Sequence, residues 1–302
     1  MKILLTGGSG FLGRNIRERL APVHEVVAPT HRELDVTDSA GVSATLQRGR
    51  FDAVIHAAIE GGSGVLESTL RGYWNLARES GRVDRIVYFG SGAEYSKDRD
   101  LHKIGEERIG DRVPPDAYGL AKLACNTHAR ASANIFNLRL FGVYGRHEGY
   151  LFRFISNSIA KAMLGIPIDV RQNVVFDYLY IDDLLALLPS FLQSDLPARD
   201  FNVTPDDSIS LEQILGHIQT ALASPIEYRF RSEGMNFAYT GANHRLREAV
   251  PNASFTNYAE GIRRLVGFYE SCRAEIDKDA LLRNDYLARC HARPAESIGE
   301  VS

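Results

Sequence analysis

Tyr118 and Lys122 stand four residues apart in DAYGLAKLACN, residues 116–126. On an α-helix that spacing stacks two side chains on one face, so the pair can work on one proton. A free phenol titrates near ~10, and bringing it toward neutrality takes roughly 4 kcal/mol of differential charge stabilisation. A lysine on the same face supplies part of that. An inert surface pair has the same spacing, so the rest of the chain must decide between them. A second constellation is TGGSGFLG, residues 6–13, where Gly7, Gly10 and Gly13 follow the apolar run MKILL and open a stretch of helical periodicity. Glycines at this spacing let the backbone turn sharply, approach a pyrophosphate closely and pack helix on strand, while the helix N-terminus favours negative charge. Gly7, Gly10, Phe11, Leu12 and Gly13 are therefore expected to hold a dinucleotide.

The ribose end of that dinucleotide is set by the loop after the second strand. A preference for NAD comes from an acid bonding the ribose 2′-hydroxyl. In VVAPTHRELDV the corresponding places are Thr30, His31 and Arg32, a hydroxyl and two basic groups that suit a 2′-phosphate. NADP(H) is expected, with NAD(H) as the alternative, and Arg14 is a further basic group just past the third glycine. Asp35, with Val36 beside it, is placed to meet the adenine ring, turn capping being the alternative role. Ala57 and Ala58 follow the third strand and complete the expected cofactor contacts.

The elements that must position these groups follow from hydrophobic periodicity. Strands are expected at MKILL, HEVVAP, FDAVIHAA, VDRIVYFGSG and ANIFNLRLFGVYG, with helices between them at SAGVSATLQR and STLRGYWNLARES. This alternation predicts a Rossmann-type, doubly wound parallel sheet of the α/β class. The expected division is a dinucleotide-binding domain over 1–145, with a return segment near 174–200. A smaller α/β substrate lobe, poor in strands, is expected from 146–173 and 201–276, leaving a peripheral tail at 277–302. SLEQILGHIQTAL and NYAEGIRRLVGFYESCRAEI read as amphipathic helices of that lobe.

Composition narrows the classes of function. With 302 residues and 44% hydrophobic content the chain can bury a full core. A formal charge of −3 without a basic run disfavours nucleic acid and anionic membrane as partners. No apolar run reaches roughly 18 residues, and the N-terminus enters its glycine turn too early for a signal peptide, which predicts a cytoplasmic protein. Cys125, Cys272 and Cys290 are far apart and odd in number, so they are expected to be reduced. The nine histidines show no ligand pair, and no metal is expected.

Taken in order, TGGSGFLG, HAA at 56–58, FGSGAEY, YGLAK, LRLFGVYG and FDYLYIDDL resemble the extended short-chain dehydrogenase/reductase family of nucleotide-sugar epimerases, dehydratases and ketoreductases. The resemblance spans roughly residues 1–270. It implies that Tyr118 and Lys122 are the family's YxxxK pair, Lys122 also holding cofactor ribose, and that Ser91 is its active-site serine or threonine. An oxidised nicotinamide would then be the second positive charge beside Tyr118. Asp116 is the expected N-cap of the helix that carries the pair.

Departures from the family pattern narrow the activity. Gly92 and Ala93 stand where dehydratases carry an Asp-Glu pair. Ala93 also takes the cysteine position of the double epimerase-reductase, and LFRFISNSIAKA lacks a histidine. Gly142 and Phe176 replace a family asparagine and arginine in the substrate region. Glu94 is expected to face substrate or solvent, and Arg139, Arg153, Asn157 and Arg171 are candidate diphosphate or sugar contacts, with surface or salt-bridge roles as the alternative. The expected activity is an NADP(H)-dependent reduction of a nucleotide-activated 4-keto sugar. A 4-epimerase with retained NAD is the alternative, and a redox sensor without turnover is a third reading. A homodimer through STLRGYWNLARES and the Tyr118 helix is implied by the resemblance.

Overall fold

The computed structural model describes residues 1–59, 64–283 and 286–290. The chain opens with β1 (Lys2–Thr6), α1 (Phe11–Leu20), β2 (Glu25–Val27), α2 (Ser39–Gly49), β3 (Ala53–His56), α3 (Val65–Arg78) and β4 (Arg85–Ser91). It continues through β5 (Leu101–Ile104), α4 (Ala117–Ala131), β6 (Ile135–Leu140), β7 (Gly142–Tyr144), α5 (Phe154–Met163), β8 (Ile168–Val170), β9 (Val175–Phe176), β10 (Tyr178–Tyr180) and α6 (Ile181–Gln193). The remainder holds β11 (Asp200–Val203), β12 (Ile209–Ser210), α7 (Leu211–Leu222), β13 (Tyr228–Phe230), β14 (Tyr239–Gly241), α8 (His244–Ala249), α9 (Tyr258–Ser271) and α10 (Lys278–Arg283).

Two units are distinguished. The larger comprises 1–148, 177–208 and 239–256, and the smaller 149–176, 209–238 and 257–302. The larger unit is built on a six-stranded sheet in the order β11-β6-β4-β3-β1-β2, parallel throughout. Both faces of such a sheet are covered by helices, which is why β3 and β6 are buried at every position rather than at alternate ones. One face packs Leu4, Val54, Ile86 and Ile135 against Leu46, Leu76 and Ala129 of α2, α3 and α4. All strands of a parallel sheet deliver their carboxyl ends to one edge, so the segments after β1, β3 and β4 bring the glycine turn, Ala57–Ala58 and Ser91 together.

The smaller unit holds α5, α7 and α9 with two short strand pairs, β8 with β13 and β9 with β12. Its expected boundaries need correction. Residues 201–208 belong to the larger unit because β11 pairs in register with β6, Phe201 opposite Leu138. Residues 239–256 belong there too, because β14 pairs with β5. Neither pairing leaves a trace in local periodicity. The expected single strand ANIFNLRLFGVYG is also broken: β6 ends at Leu140, and β7 pairs separately with β10. Of the expected tail, residues 284–285 and 291–302 lie outside the described residues, while α10 is a defined helix.

Candidate active site

The cofactor cradle is built first by glycines. Gly7 adopts φ +74°, and a Cβ there would lie 2.5 Å from the Ala58 amide nitrogen. A Cβ on Gly13 would lie 2.0 Å from the Gly7 carbonyl oxygen. Only glycine fits at either place, and the Gly7 contact seats Ala57–Ala58 directly against the turn. Gly10, by contrast, is not crowded, its notional Cβ meeting only the Gly7 carbonyl oxygen at 3.4 Å. It is the N-cap of α1, which has no side-chain cap and no acid in its first turn. The amides at Phe11 and Leu12 thus open a helix start suited to a pyrophosphate, and the site fits a dinucleotide on its own geometry.

The loop after β2 is less simple than its sequence. His31 and Arg32 are exposed, but the amide and hydroxyl of Thr30 both donate to Glu33, at 2.7 and 2.8 Å. The Thr30 hydroxyl is therefore held by an acid within the same turn. Asp35 accepts from the amide and hydroxyl of Thr37, both at 2.8 Å, and these bonds lower its pKa. Turn capping is its observed role. Val36 is buried, and its carbonyl accepts from Asn75 at 2.9 Å.

Ser91 ends β4, and Lys122, which bonds the Phe89 carbonyl of that strand, has the Tyr118 ring 5.7 Å away. Asp116 caps α4 by accepting from the Gly119 amide at 2.8 Å. Gly119 lets the first turn of α4 press onto the segment after β4, since a Cβ there would lie 2.5 Å from the Ala93 carbonyl oxygen. Lys122 is 1% exposed, donates to the Phe89 carbonyl at 2.7 Å, and lies 4.4 Å above the Tyr88 ring and 5.7 Å from that of Tyr118. Burial pushes its ammonium down to about 8, against the pull of Cys125 and Glu94. The same burial holds His56 at about 3, with Lys122 adding to the effect, so His56 is neutral and bonds Thr6 Oγ1 through Nδ1 at 2.7 Å.

Three expected substrate contacts are buried. Glu94 and Arg139 are both fully buried and pair with each other, Arg139 Nε to Glu94 Oε2 at 2.6 Å. Glu94 Oε1 accepts from the Ser91 amide at 3.0 Å and from Asn137 at 3.1 Å. Arg139 reaches on to Asn202 at 2.9 Å and Asp200 at 3.1 Å. Burial works against its charge, but Glu94, Tyr95 and Asp200 together hold its pKa above the ordinary value. The pair props the Ser91 turn from beneath instead of meeting a ligand. Asn157 is likewise buried, donating to the Tyr150 carbonyl at 2.8 Å. Arg153 and Arg171 are exposed on the smaller unit.

The sequence reading missed Tyr239. A Cβ on Gly92 would lie 2.6 Å from its hydroxyl, and its ring lies 5.0 Å from that of Phe141. No motif marks it, and only the pairing of β14 with β5 brings it there. The dispersed histidines also conceal one juxtaposition: Glu106, Glu107 and His244 offer atoms within 4.8 Å of one another. Glu106 is committed there by a 2.8 Å bond from the Asn202 amide.

Known proteins resemble this chain over much of its length. Residues 3–204 match the model of the NAD dependent epimerase/dehydratase family. A GDP-L-colitose synthase of Yersinia pseudotuberculosis is 30% identical over 41% of this chain and 44% of its own. A probable UDP-glucuronate 4-epimerase of Rhizobium meliloti is 23% identical over 75% and 79%. Among solved structures, the GDP-mannoheptose C4 reductase of Campylobacter jejuni with NADP bound superposes with a TM-score of 0.75 at 17% identity, covering 89% of this chain and 98% of that one. The chain belongs to the NAD-dependent epimerase/dehydratase family, within the NAD(P)-dependent enzymes of the extended short-chain dehydrogenase/reductase type.

Proposed function

We propose that the protein is an NADP(H)-dependent reductase of a nucleotide-activated 4-keto sugar. The observation that carries this reading is the bare end of β4. Ser91, Tyr118 and Lys122 are present, whereas Gly92 and Ala93 supply no acid or thiol for dehydration or carbon epimerisation. When bound, the nicotinamide supplies the hydride. The protein's part is to hold the sugar carbonyl oxygen between two hydroxyls. Ser91 donates a hydrogen bond to that oxygen, and Tyr118 gives it a proton as negative charge develops. The buried ammonium of Lys122 then stabilises the phenolate left behind. In this reading Gly7, Gly10, Phe11, Leu12 and Gly13 hold the pyrophosphate, Lys122 the ribose, and Ala57 and Ala58 line the cradle. Arg153 and Arg171 remain the candidates for the nucleotide diphosphate.

Preference for NADPH rests on the exposed His31 and Arg32 and on the absence of an acid at the end of β2. Glu33 is the opposing feature, and its bonds to Thr30 tie it into the turn. NADPH is expected to bind more tightly than NADH by titration calorimetry. Equal affinities, or tighter NADH, would show that Glu33 governs the loop.

The test of the reaction is a panel of nucleotide 4-keto-6-deoxy sugars offered with NADPH. Oxidation of one NADPH per sugar reduced is expected. Interconversion of two 4-hydroxy nucleotide sugars without added cofactor would identify a 4-epimerase instead, since an epimerase returns its hydride to the sugar. Binding of cofactor without turnover of any sugar would favour a sensor. We further propose a cytoplasmic homodimer through α3 and α4. Among the described residues no helix is long and apolar enough to cross a membrane, and all three cysteines are free. Sedimentation at micromolar concentration tests the dimer.

A further inference from the structure

Tyr118 and Lys122 begin a longer series on α4, because four residues further on stands Asn126. Steps of four keep all three side chains on one stripe of the helix. Asn126 is fully buried, as is Asn137 of β6, which it meets. A buried amide without partners is costly, so the bonds of this pair can be followed one by one.

The orientation of both amides follows from Glu94. Its carboxylate, paired with Arg139 at 2.6 Å, offers only acceptors. Its two oxygens lie 3.1 and 3.2 Å from Asn137 Nδ2, so the group of Asn137 that faces them is the NH2. The other proton of that NH2 goes to Asn126 Oδ1 at 2.7 Å. Glu94 Oε1 in turn accepts from the Ser91 amide at 3.0 Å. A continuous chain of hydrogen bonds thus runs from α4, by way of β6, to the Ser91 turn. Gly90 leaves the space for it: a Cβ there would lie 2.1 Å from Asn137 Oδ1 and 2.2 Å from Glu94 Oε1.

Two other ties hold α4 to the end of β4, Gly119 against the Ala93 carbonyl and Lys122 on the Phe89 carbonyl. A helix held to one strand near its start is still free to tilt about that strand. Asn126 adds a tie about 6 Å further along the axis, to a second strand, and removes that freedom. Stability alone does not call for two amides here. Asn126 Nδ2 and Asn137 Oδ1 have no protein partner among the described residues, a cost that apolar side chains of similar size would not carry.

We propose that Asn126 is a positioning residue for the carbonyl chemistry: through Asn137 and Glu94 it locks the helix face that carries Tyr118 and Lys122 to the turn that carries Ser91. This inference rests on the carbonyl-reduction reading above. Two donors on separate elements serve one substrate oxygen only if their separation is fixed, and a misplacement of about 1 Å can cost on the order of 10²-fold in rate.

The experiment is a double-mutant cycle on Asn126→Leu and Asn137→Leu, read as NADPH oxidation with GDP-4-keto-6-deoxymannose and dTDP-4-keto-6-deoxyglucose as probes. Asn126→Leu is expected to lower kcat by about tenfold, with KM for sugar and for NADPH within about twofold, since alignment is lost and binding groups are not. Asn137→Leu breaks the same chain one link on and also takes a donor from Glu94, so it should be at least as slow. Because Asn126 acts through Asn137, the double variant should be no slower than Asn137→Leu alone. Unchanged kcat in Asn126→Leu, a rise in KM in place of the fall in kcat, or a double variant slowed by the product of the two effects overturns the proposal. If wild-type protein reduces neither probe, the reductase reading fails for those sugars. The positioning claim is then decided by crystallography of wild type and Asn126→Ala, as it is if a leucine variant does not fold. Asn126 Oδ1 within about 3.2 Å of Asn137 Nδ2 in the wild type, with Tyr118 Oη moved by more than about 0.5 Å relative to Ser91 Oγ in the variant, supports it. A longer separation in the wild type, or an unmoved Tyr118 in the variant, overturns it.

Discussion

Replacing Tyr118 with phenylalanine is expected to lower turnover by roughly two to four orders of magnitude while leaving cofactor affinity nearly unchanged. The ring is retained, so the 5.7 Å relation to Lys122 and the seat of α4 against the Ala93 carbonyl persist. What disappears is the transferable proton. A transition-state interaction has been removed, so kcat and kcat/KM should fall together. Lys122 is a poor substitute donor. Its ammonium is bonded to the Phe89 carbonyl and sits over the Tyr88 ring, where burial has already lowered its pKa to about 8. Stopped-flow measurement of hydride transfer, with cofactor binding followed separately by fluorescence, distinguishes loss of chemistry from loss of binding. Near-normal turnover in the variant would reject Tyr118 as the acid and with it the proposed mechanism.

The parts of this site that lie close together in the chain were readable without a structure. Gly7, Gly10 and Gly13 declare a turn because a strand precedes them and a helix follows. Tyr118 and Lys122 declare a shared face because helical geometry fixes where i and i+4 point. Asp116 reads as an N-cap for the same local reason, and it caps α4. The misread residues depend on register between distant strands. Arg139 looked available to a diphosphate because arginines seldom stay fully buried. In the sheet it lies opposite Gly90, one residue before the Ser91 turn, which brings its guanidinium to Glu94. Glu94 looked free to face substrate or solvent for the complementary reason, since its partner stands 45 residues away. Tyr239 is separated from Gly92 by far more chain and reaches it only because β14 adds beside β5. Glu33 bears on the same loop through local chemistry, since a hydroxyl three residues before a carboxylate is a recognisable turn pairing.

The second large effect is expected at the Glu94–Arg139 pair. Glu94→Ala should destabilise the larger unit by about 3–5 kcal/mol, the scale for removing one partner of a buried ion pair. The loss has two physical parts. Arg139, fully buried, loses its 2.6 Å partner and keeps only Asp200 and Asn202, while the Ser91 amide loses its 3.0 Å acceptor in a part-buried position. Glu94→Gln separates them. Its amide oxygen can still accept from the Ser91 amide, but its NH2 group would face Arg139 Nε, donor against donor, so most of the ion-pair loss remains. Arg139→Met removes the charge from the other side and leaves Asp200 with Arg245 at 2.7 Å, which limits the damage at that end. Because one interaction is lost in either single variant, Glu94→Gln with Arg139→Met should be less destabilising than the sum of the two. Urea denaturation followed by fluorescence measures all three. A loss below about 1 kcal/mol in Glu94→Ala, or strict additivity in the double variant, would mean that the pair does not support the Ser91 turn. Turnover supplies the functional reading of the same variants at temperatures where they remain folded. Glu94→Gln, with the Ser91 amide still held, should retain more activity than Glu94→Ala, because the turn that aims Ser91 depends on that acceptor more than on the charge beneath it.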